Sequence, residues 1–216
     1  MKKWSEEAWD VARPTYLKII EHPFVEELAR GTLAADKFLF YLRQDSLYLA
    51  HYSRVLTHIA SRLTEKEHIA AFIRFASDGI EVEEALHWLL SERRRTGSRR
   101  DQPDMPALHL GTASPGHSPG RSGSRCRASL LLGLSAGRAA DHRPAAGSGN
   151  PYAQWIETYA DPSFTEATSQ AIGICDALAE KTGPETRRRM TDIFLRCTKM
   201  EWLFWDSAWY LESWKI

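Results

Sequence analysis

The hydrophobic residues of this chain recur at intervals of three and four along most of its length, the spacing of amphipathic helices. A long helix is predicted from Ala35 to Leu63, and a capping box at Thr64-x-x-Glu67 begins the next one. No stretch alternates with a period of two, and Asp78-Gly79 lies inside a helical pattern rather than at a hairpin turn. The pattern therefore predicts an all-α fold, a multi-helix bundle in one domain over residues 1–216.

The N-terminal pattern predicts two shorter helices. Ser5 opens the first, with Trp9 and Val11 facing the interior, and Pro14 interrupts or restarts it. A turn at His22-Pro23 begins the second, which ends at Gly31. These short helices would pack against the longer ones that follow.

Three further helices are predicted in the rest of the chain, and one short segment, 152–159, is helical or turn-like. The helix after Thr64 places Ile73 inside, beside Phe72 and Phe75. The last two helices run from Phe164 to Lys181 and from Glu185 to Trp214, separated by Thr-Gly-Pro at 182–184. The buried side of the last helix is predicted to carry Met190, Ile193, Phe194, Cys197, Met200, Phe204 and Trp209.

One segment, Arg93–Gly149, departs from this pattern. It contains no Phe, Trp, Tyr, Lys, Glu, Val or Ile, but it is rich in Arg, Gly, Ser and Pro. Such a composition is typical of a disordered, basic insert. A GC-rich gene translated in the wrong frame gives the same composition, so both interpretations stay open at this point. We expect residues 93–149 to be irregular or disordered as written.

Charge and cysteine content narrow the classes of function. Lys and Arg together number 28 and so do Asp and Glu, which leaves no net charge to attract nucleic acid or an anionic membrane. No apolar run is long enough for a membrane span. Three cysteines without CxxC spacing favour neither a disulfide scaffold nor a zinc site. We expect a soluble cytoplasmic protein without a metal or other cofactor.

Two carboxylates occur where a helix interior is expected. Tyr41, Asp45 and Tyr48 fall at i, i+4 and i+7, so that one face presents a carboxylate between two phenols. Glu201 lies beside Trp202, Phe204 and Trp205 in the last helix. An aromatic pocket would raise the pKa of such a glutamate and suit it to general acid catalysis. Exposed positions on amphipathic helices are the alternative for both carboxylates.

A third pattern, Glu84-x-x-His87, has the i, i+3 spacing found in di-iron carboxylate bundles. One copy is insufficient for such a site, because two pairs and two further glutamates are needed. An ordinary pair on a helix surface is the simpler interpretation.

Three ordered motifs resemble those of the TenA, or thiaminase II, family. The first is Gly-Thr-Leu at 31–33 followed by Lys37-Phe38-x-x-Tyr41-Leu42-x-Gln44-Asp45-Ser46-x-Tyr48-Leu49. The second is Asn150-Pro151-Tyr152-x-x-Trp155-Ile156-x-x-Tyr159, and the third is Glu201-x-x-Phe204-Trp205-Asp206-x-Ala208-Trp209. The resemblance covers the first 92 and the last 67 residues.

The resemblance implies a haem-oxygenase-like fold, a homotetramer and an enzyme of thiamin salvage that acts on a pyrimidine or thiamin derivative. Its activity would be hydrolysis of an aminopyrimidine to the hydroxypyrimidine, and some members cleave thiamin itself. By motif, Asp45 would bind the exocyclic amine and ring nitrogen of the pyrimidine, and Tyr48 would line the pocket. Tyr159 would hydrogen-bond near the nucleophile, and Glu201 would act as acid and base with Phe204 packed beside it.

The chain departs from the family at the nucleophile. Most members carry a cysteine in a Leu-Pro-Cys-aromatic-Trp motif, which this sequence lacks; Cys126 has different neighbours. However, codons for Leu130–Leu134, read one base forward, permit Cys-Phe-Trp-Val-Tyr, and Ser129 permits the preceding proline. A frameshifted stretch is therefore favoured over an insert. As written, the chain is expected to be poorly soluble or molten and impaired in catalysis.

Other functions remain as alternatives. The older name of the family denotes a transcriptional activator, so a non-catalytic regulatory protein is one of them. A haem-oxygenase-like di-iron oxygenase built around Glu84 and His87 is another. Cysteine-less relatives that use carboxylates in place of the thiol keep a further mechanism open.

Overall fold

The computed structural model describes residues 2–96, 149–158 and 162–213, and every regular element in these ranges is a helix. The all-α prediction is therefore confirmed. The expectation of irregular structure over 93–149 is wrong at residues 93–96, which form the last turn of α4, and residues 97–148 lie outside the described residues. The helices are α1 (Trp4–Ile20), α2 (Pro23–Arg30), α3 (Ala35–Ala60), α4 (Lys66–Thr96), α5 (Ala153–Thr158), α6 (Pro162–Glu180) and α7 (Pro184–Trp209).

Local signals fix both ends of α2 where the sequence predicts them. His22 is the N-cap, and its side chain accepts a hydrogen bond from the Phe24 backbone N–H; Pro23 follows at the first helical position. Gly31 ends the helix in the left-handed conformation, with φ of 76°, which a side chain would strain. The Asn150 amide then donates to two orphan carbonyls at the end of α2, those of Leu28 (3.1 Å) and Ala29 (3.0 Å).

The loop motif at 31–33 is joined to α5 by a second bond. The hydroxyl of Tyr152, which is fully buried, donates to the Leu33 carbonyl over 2.6 Å. The Asn150 side chain also accepts from the Tyr152 backbone N–H at 2.8 Å. Two of the three sequence motifs are thus bonded to each other, although more than a hundred residues separate them.

Helices α3 and α4 form the longest packed pair, and the short connection between them turns the chain back on itself. They approach closely at Gly79, where an added Cβ would lie 2.7 Å from Ser53 Oγ. The main core lies between this pair, α2, α5, α6 and the end of α7. A second, smaller cluster, called here the α1 cluster, joins α1 to the middle of α7; its members are Ala8, Trp9, Ala12, Tyr16, Phe194 and Cys197.

The structure corrects several details of the sequence prediction. Helix α1 continues through Pro14 to Ile20 instead of stopping there. Val11, Ile73 and Ile193 were expected to be inside, but they are 49%, 53% and 38% exposed. The last helix ends at Trp209, five residues earlier than predicted. In each helix the buried stripe lies at neighbouring positions and includes small residues that a search for large apolar side chains overlooks, such as Ala71 and Ala76 in α4.

Candidate active site

The predicted polar face of α3 is partly buried. Tyr41 is 3% exposed, and its hydroxyl donates to Asp45 Oδ2 over 3.2 Å. Asp45 and Tyr48 are half-buried on the same face. A carboxylate withdrawn from water in this way is stable only when hydrogen-bonded, and Tyr41 supplies one such bond.

Tyr41 is also the point at which the three sequence motifs meet. Its ring lies 5.3 Å from that of Trp155 in α5, and 5.5 Å from that of Phe204 in α7. It stacks on Trp205 at 5.0 Å with an interplanar angle of 13°. The Tyr41 cluster is defined here as Phe24, Phe38, Tyr41, Trp155, Phe204 and Trp205, all joined by ring contacts.

Glu201 lies in α7, one turn before Phe204 and Trp205. Positions i, i+3 and i+4 share one side of a helix, so Glu201 lies on the same side of α7 as the two residues that contact Tyr41. Glu201 and Phe204 are both half-buried, whereas Leu203 between them is 57% exposed. Asp45 and Phe204 therefore contact one aromatic ring, that of Tyr41, from two helices. Tyr159, the remaining predicted site residue, lies outside the described residues.

The α3 face extends further than the sequence motif indicated. Tyr52 follows Tyr48 by one turn, and their rings are 5.5 Å apart. Burial raises the pKa of the Tyr52 hydroxyl, which therefore stays protonated at neutral pH. The signal was present in the sequence as the next position of the i, i+4, i+7 series, but the motif ends before it.

His22 is a second residue that the site prediction did not include. It is buried at the junction of α1 and α2, and its Nε2 lies 3.4 Å from Asp206 Oδ1 in α7. His22-Pro23 was interpreted only as a turn, because a histidine before a proline at a helix start is a common local signal. The pairing with Asp206 joins positions 184 residues apart, and no local pattern contains it.

The two described cysteines lack the properties of a nucleophile. Burial and the neighbouring Asp176 raise the pKa of the Cys175 thiol to about 11, so it stays protonated at neutral pH. Cys197 is fully buried in the α1 cluster. Cys126 lies outside the described residues.

The described part of the chain contains no group of three or more His, Cys, Asp and Glu side chains arranged to hold a metal ion. Glu84 of the predicted Glu84–His87 pair is exposed, and the side chain of His87 lies outside the described set. Among the described helices, none is both long and apolar enough to cross a membrane.

Known proteins with this arrangement fall in one family. The model of the TENA/THI-4/PQQC family matches residues 9–103 and 126–210. A relative from Bacillus subtilis named aminopyrimidine aminohydrolase is 29% identical over 98% of this chain and 92% of its own length. Another of that name, from Halalkalibacterium halodurans, is 24% identical over 95% of each chain.

A solved structure shares the fold. The TenA homologue from P. horikoshii OT3 superimposes with a TM-score of 0.65, over 97% of this chain and 99% of the other, at 21% identity. The family match covers the motifs at Asp45, Asn150 and Glu201, and it also includes residues 93–103 and 126–149 of the anomalous segment. The chain belongs to the TENA/THI-4/PQQC family, as its three motifs predict.

Proposed function

We propose that this protein is an aminopyrimidine aminohydrolase of thiamin salvage. The observation that carries the proposal is the similarity, along nearly the full chain, to relatives that bear this name. The site supports it, because a hydrogen-bonded carboxylate on α3 adjoins an aromatic cluster whose α7 members, Phe204 and Trp205, come one turn after Glu201. The substrate is the aminomethyl form of an aminopyrimidine, and the products are its hydroxymethyl form and ammonia.

The reaction replaces a carbon–nitrogen bond by a carbon–oxygen bond. Asp45, oriented by Tyr41, accepts hydrogen bonds from the exocyclic amine and from the protonated ring nitrogen, which fixes the pyrimidine in the site. Phe204 packs against the ring, Tyr48 lines the pocket, and Tyr159 hydrogen-bonds near the attacking group. Glu201 supplies a proton to the ring as the nucleophile adds, and it regains a proton from the nucleophile or from water. It delivers that proton to the amine, which leaves as ammonia, and water supplies the oxygen of the new hydroxyl group.

The chain as written lacks the cysteine motif that supplies the nucleophile in most members of the family. The family uses a cysteine, and neither Cys175 nor Cys197 suits that role, since one thiol is held protonated and the other has no access to solvent. We propose that the segment 93–149 is a frameshifted stretch that originally carried this cysteine. The literal chain then retains the pyrimidine site but hydrolyses its substrate poorly.

The experiment compares two proteins. One is the chain as written, and the other has residues 93–149 replaced by the translation of the gene in the alternative frame. Ammonia release from the aminomethyl pyrimidine is measured for both. We expect slow or no release from the first and saturable release from the second; no release from either would contradict the proposed function.

We further propose that the protein is a cytoplasmic homotetramer that binds no nucleic acid. Exposed apolar side chains of α3, α4 and α7, at Leu47, Ile73 and Leu203, support an assembly that would cover them. Sedimentation equilibrium tests the assembly, and a monomer across micromolar concentrations would contradict it. A gel shift that weakens with salt would favour the regulatory alternative instead.

A further inference from the structure

His22 has both of its ring nitrogens engaged, although the residue lies outside the pyrimidine site. The Phe24 backbone N–H donates to Nδ1 over 3.1 Å, which leaves the proton of the neutral ring on Nε2. Nε2 then points to Asp206 Oδ1 at 3.4 Å. Only 5% of His22 is exposed, whereas the Asp206 side chain is 28% exposed, so the contact is partly shielded from water.

The same ring touches α7 at three positions of one face. Besides Asp206, His22 lies edge-on to Trp202 at 5.7 Å and to Trp209 at 6.4 Å. These three residues are at positions i, i+4 and i+7 on one face of α7, so the imidazole contacts both of the last two turns of that helix. Lys37 of α3 also contacts Trp209, with Nζ 3.0 Å from the ring centroid.

The next residues of the chain continue into the Tyr41 cluster. Phe24 contacts Trp205 at 5.2 Å and Tyr41 at 5.8 Å. The segment 22–24 thus lies between α7 and the Tyr41–Asp45 pair of α3. It contacts the stretch of α7 that carries Glu201 and Phe204 without being part of either motif.

We propose that His22, acting through Asp206, is a positioning residue that fixes the last two turns of α7 and so places Glu201 and Phe204 relative to Asp45. The inference rests on the proposed function for its catalytic consequence, but its structural part stands apart from it. A misplacement of about 1 Å at a reacting group can lower a rate about a hundredfold. Neither His22 nor Asp206 needs to contact the pyrimidine for this effect.

Three variants distinguish the effect of the His22–Asp206 contact from the effect of the His22 cap on α2. His22→Asn keeps an N-cap acceptor for Phe24 but is too short to reach Asp206. Asp206→Ala removes the other partner, and the double variant closes a mutant cycle. Asp176→Ala is the matched control, because Asp176 is a buried carboxylate that also joins two helices, accepting from the Ser5 backbone N–H and hydroxyl at 2.8 and 2.9 Å.

The first measurement is amide hydrogen exchange in whichever form of the chain is soluble and folded, and it needs no activity. We expect exchange at residues 202–209 to accelerate about tenfold in both single variants, with no further acceleration in the double variant. Asp176→Ala should accelerate exchange in the first turn of α1 and leave 202–209 unchanged. Additive effects, or equal acceleration at 202–209 in the control, would overturn the inference.

The second measurement is kinetic, in whichever form of the chain releases ammonia. His22→Asn and Asp206→Ala should lower kcat about tenfold or more with KM changed far less, since Glu201 acts in the chemical step. Asp176→Ala should lower only the melting temperature. If no form releases ammonia, the proposed function is wrong while the exchange result still decides the positioning role. Normal kcat in both variants would refute the catalytic part.

Discussion

The Tyr41 cluster and the α1 cluster differ in whether the polar atoms around them are hydrogen-bonded within the protein. Around α1 the polar groups bind one another: Trp4 Nε1 donates to Thr191 Oγ1, and Ser5 donates twice to Asp176. Around Tyr41, Trp205 Nε1 is buried and has no hydrogen-bond partner in the part of the chain that the structure describes. A region that only stabilises the fold satisfies its buried polar groups, whereas a binding region keeps some of them for a ligand.

The two regions also differ in the size of their side chains. The α1 cluster contains small residues, Ala8, Ala12 and Cys197, which let α1 and α7 approach closely. The Tyr41 cluster consists entirely of aromatic rings that come from α2, α3, α5 and α7. Rings of this kind give a flat, rigid surface on which another aromatic ring such as a pyrimidine can stack. We therefore expect substitutions in the first region to change stability and substitutions in the second to change activity.

The largest expected effect tests the second region. Glu201→Gln removes the proposed acid and base but keeps the shape of the side chain. In the form of the chain that releases ammonia, we expect kcat to fall about 10²- to 10⁴-fold, the range for general acid–base groups. The melting temperature should change little.

A matched control for this variant is Glu185→Gln, at an exposed position in the first turn of the same helix. Its kcat should stay within twofold of the parent value. Equal losses of kcat in the two variants would mean that Glu201 acts only through its charge on α7 and is not an acid or base in the reaction.

The second prediction concerns the α1 cluster. Trp9 is buried and packs against Tyr16 with ring centroids 5.0 Å apart. Trp9→Ala should lower the free energy of unfolding by about 3–5 kcal/mol. Urea unfolding measures this loss, and kcat measured at a temperature where the variant is still folded should be unchanged. Val11→Ala, on the exposed side of α1, should change stability by less than about 0.5 kcal/mol.

Val11 also shows where sequence reasoning fails in this fold. Its size and apolar character suggested burial, yet the stripe that faces α7 is Ala8, Trp9, Ala12 and Tyr16. That stripe continues across Pro14, so burial on both sides of the proline offsets the roughly 3 kcal/mol that a proline costs inside a helix. Helix faces lined by alanine are close-packed, but a search for large apolar residues does not reveal them.

The sequence predicted which motifs come together better than it predicted the packing. Asp45, Phe204 and Trp155 belong to motifs whose order along the chain is visible in the sequence, and all three contact Tyr41. The caps of α2 were also predicted, because a cap depends on residues within one turn. The His22–Asp206 pair was not, since a contact between distant positions leaves no trace in local spacing.

The third prediction tests the close approach of α3 and α4 at Gly79, beside Tyr52. Gly79→Ala would place a Cβ 2.7 Å from Ser53 Oγ, so either the Ser53 hydroxyl or one of the helices must move. We expect a loss of about 1–3 kcal/mol in the free energy of unfolding, despite the higher helix propensity of alanine.

A second substitution tests whether the loss comes from the contact with the Ser53 hydroxyl or from any side chain at position 79. Ser53 Oγ is buried without a hydrogen-bond partner among the described residues, so Ser53→Ala should cost little by itself. The double variant Gly79→Ala, Ser53→Ala should regain most of the stability. Additive losses would show that the backbone, and not the hydroxyl, limits the approach.

The smallest expected effect concerns Cys175, which lies beside Asp176 at the junction with α1. Its pKa rises from 9.0 to about 11, first because burial disfavours the thiolate and then because Asp176 repels it. A group whose pKa is raised by folding stabilises the folded protein fully below its unfolded pKa, and that contribution disappears as the pH rises through the folded pKa. The parent protein should therefore lose on the order of 1 kcal/mol of its free energy of unfolding between pH 7 and pH 10, and Cys175→Ala should retain it, as measured by urea unfolding at each pH.

At pH 7 the variant should release ammonia as fast as the parent, because a protonated thiol in the stabilising region takes no part in the reaction. Inactivation of the parent at pH 7 by a thiol reagent that spares Cys175→Ala would instead identify Cys175 as the nucleophile and remove the distinction between the two regions.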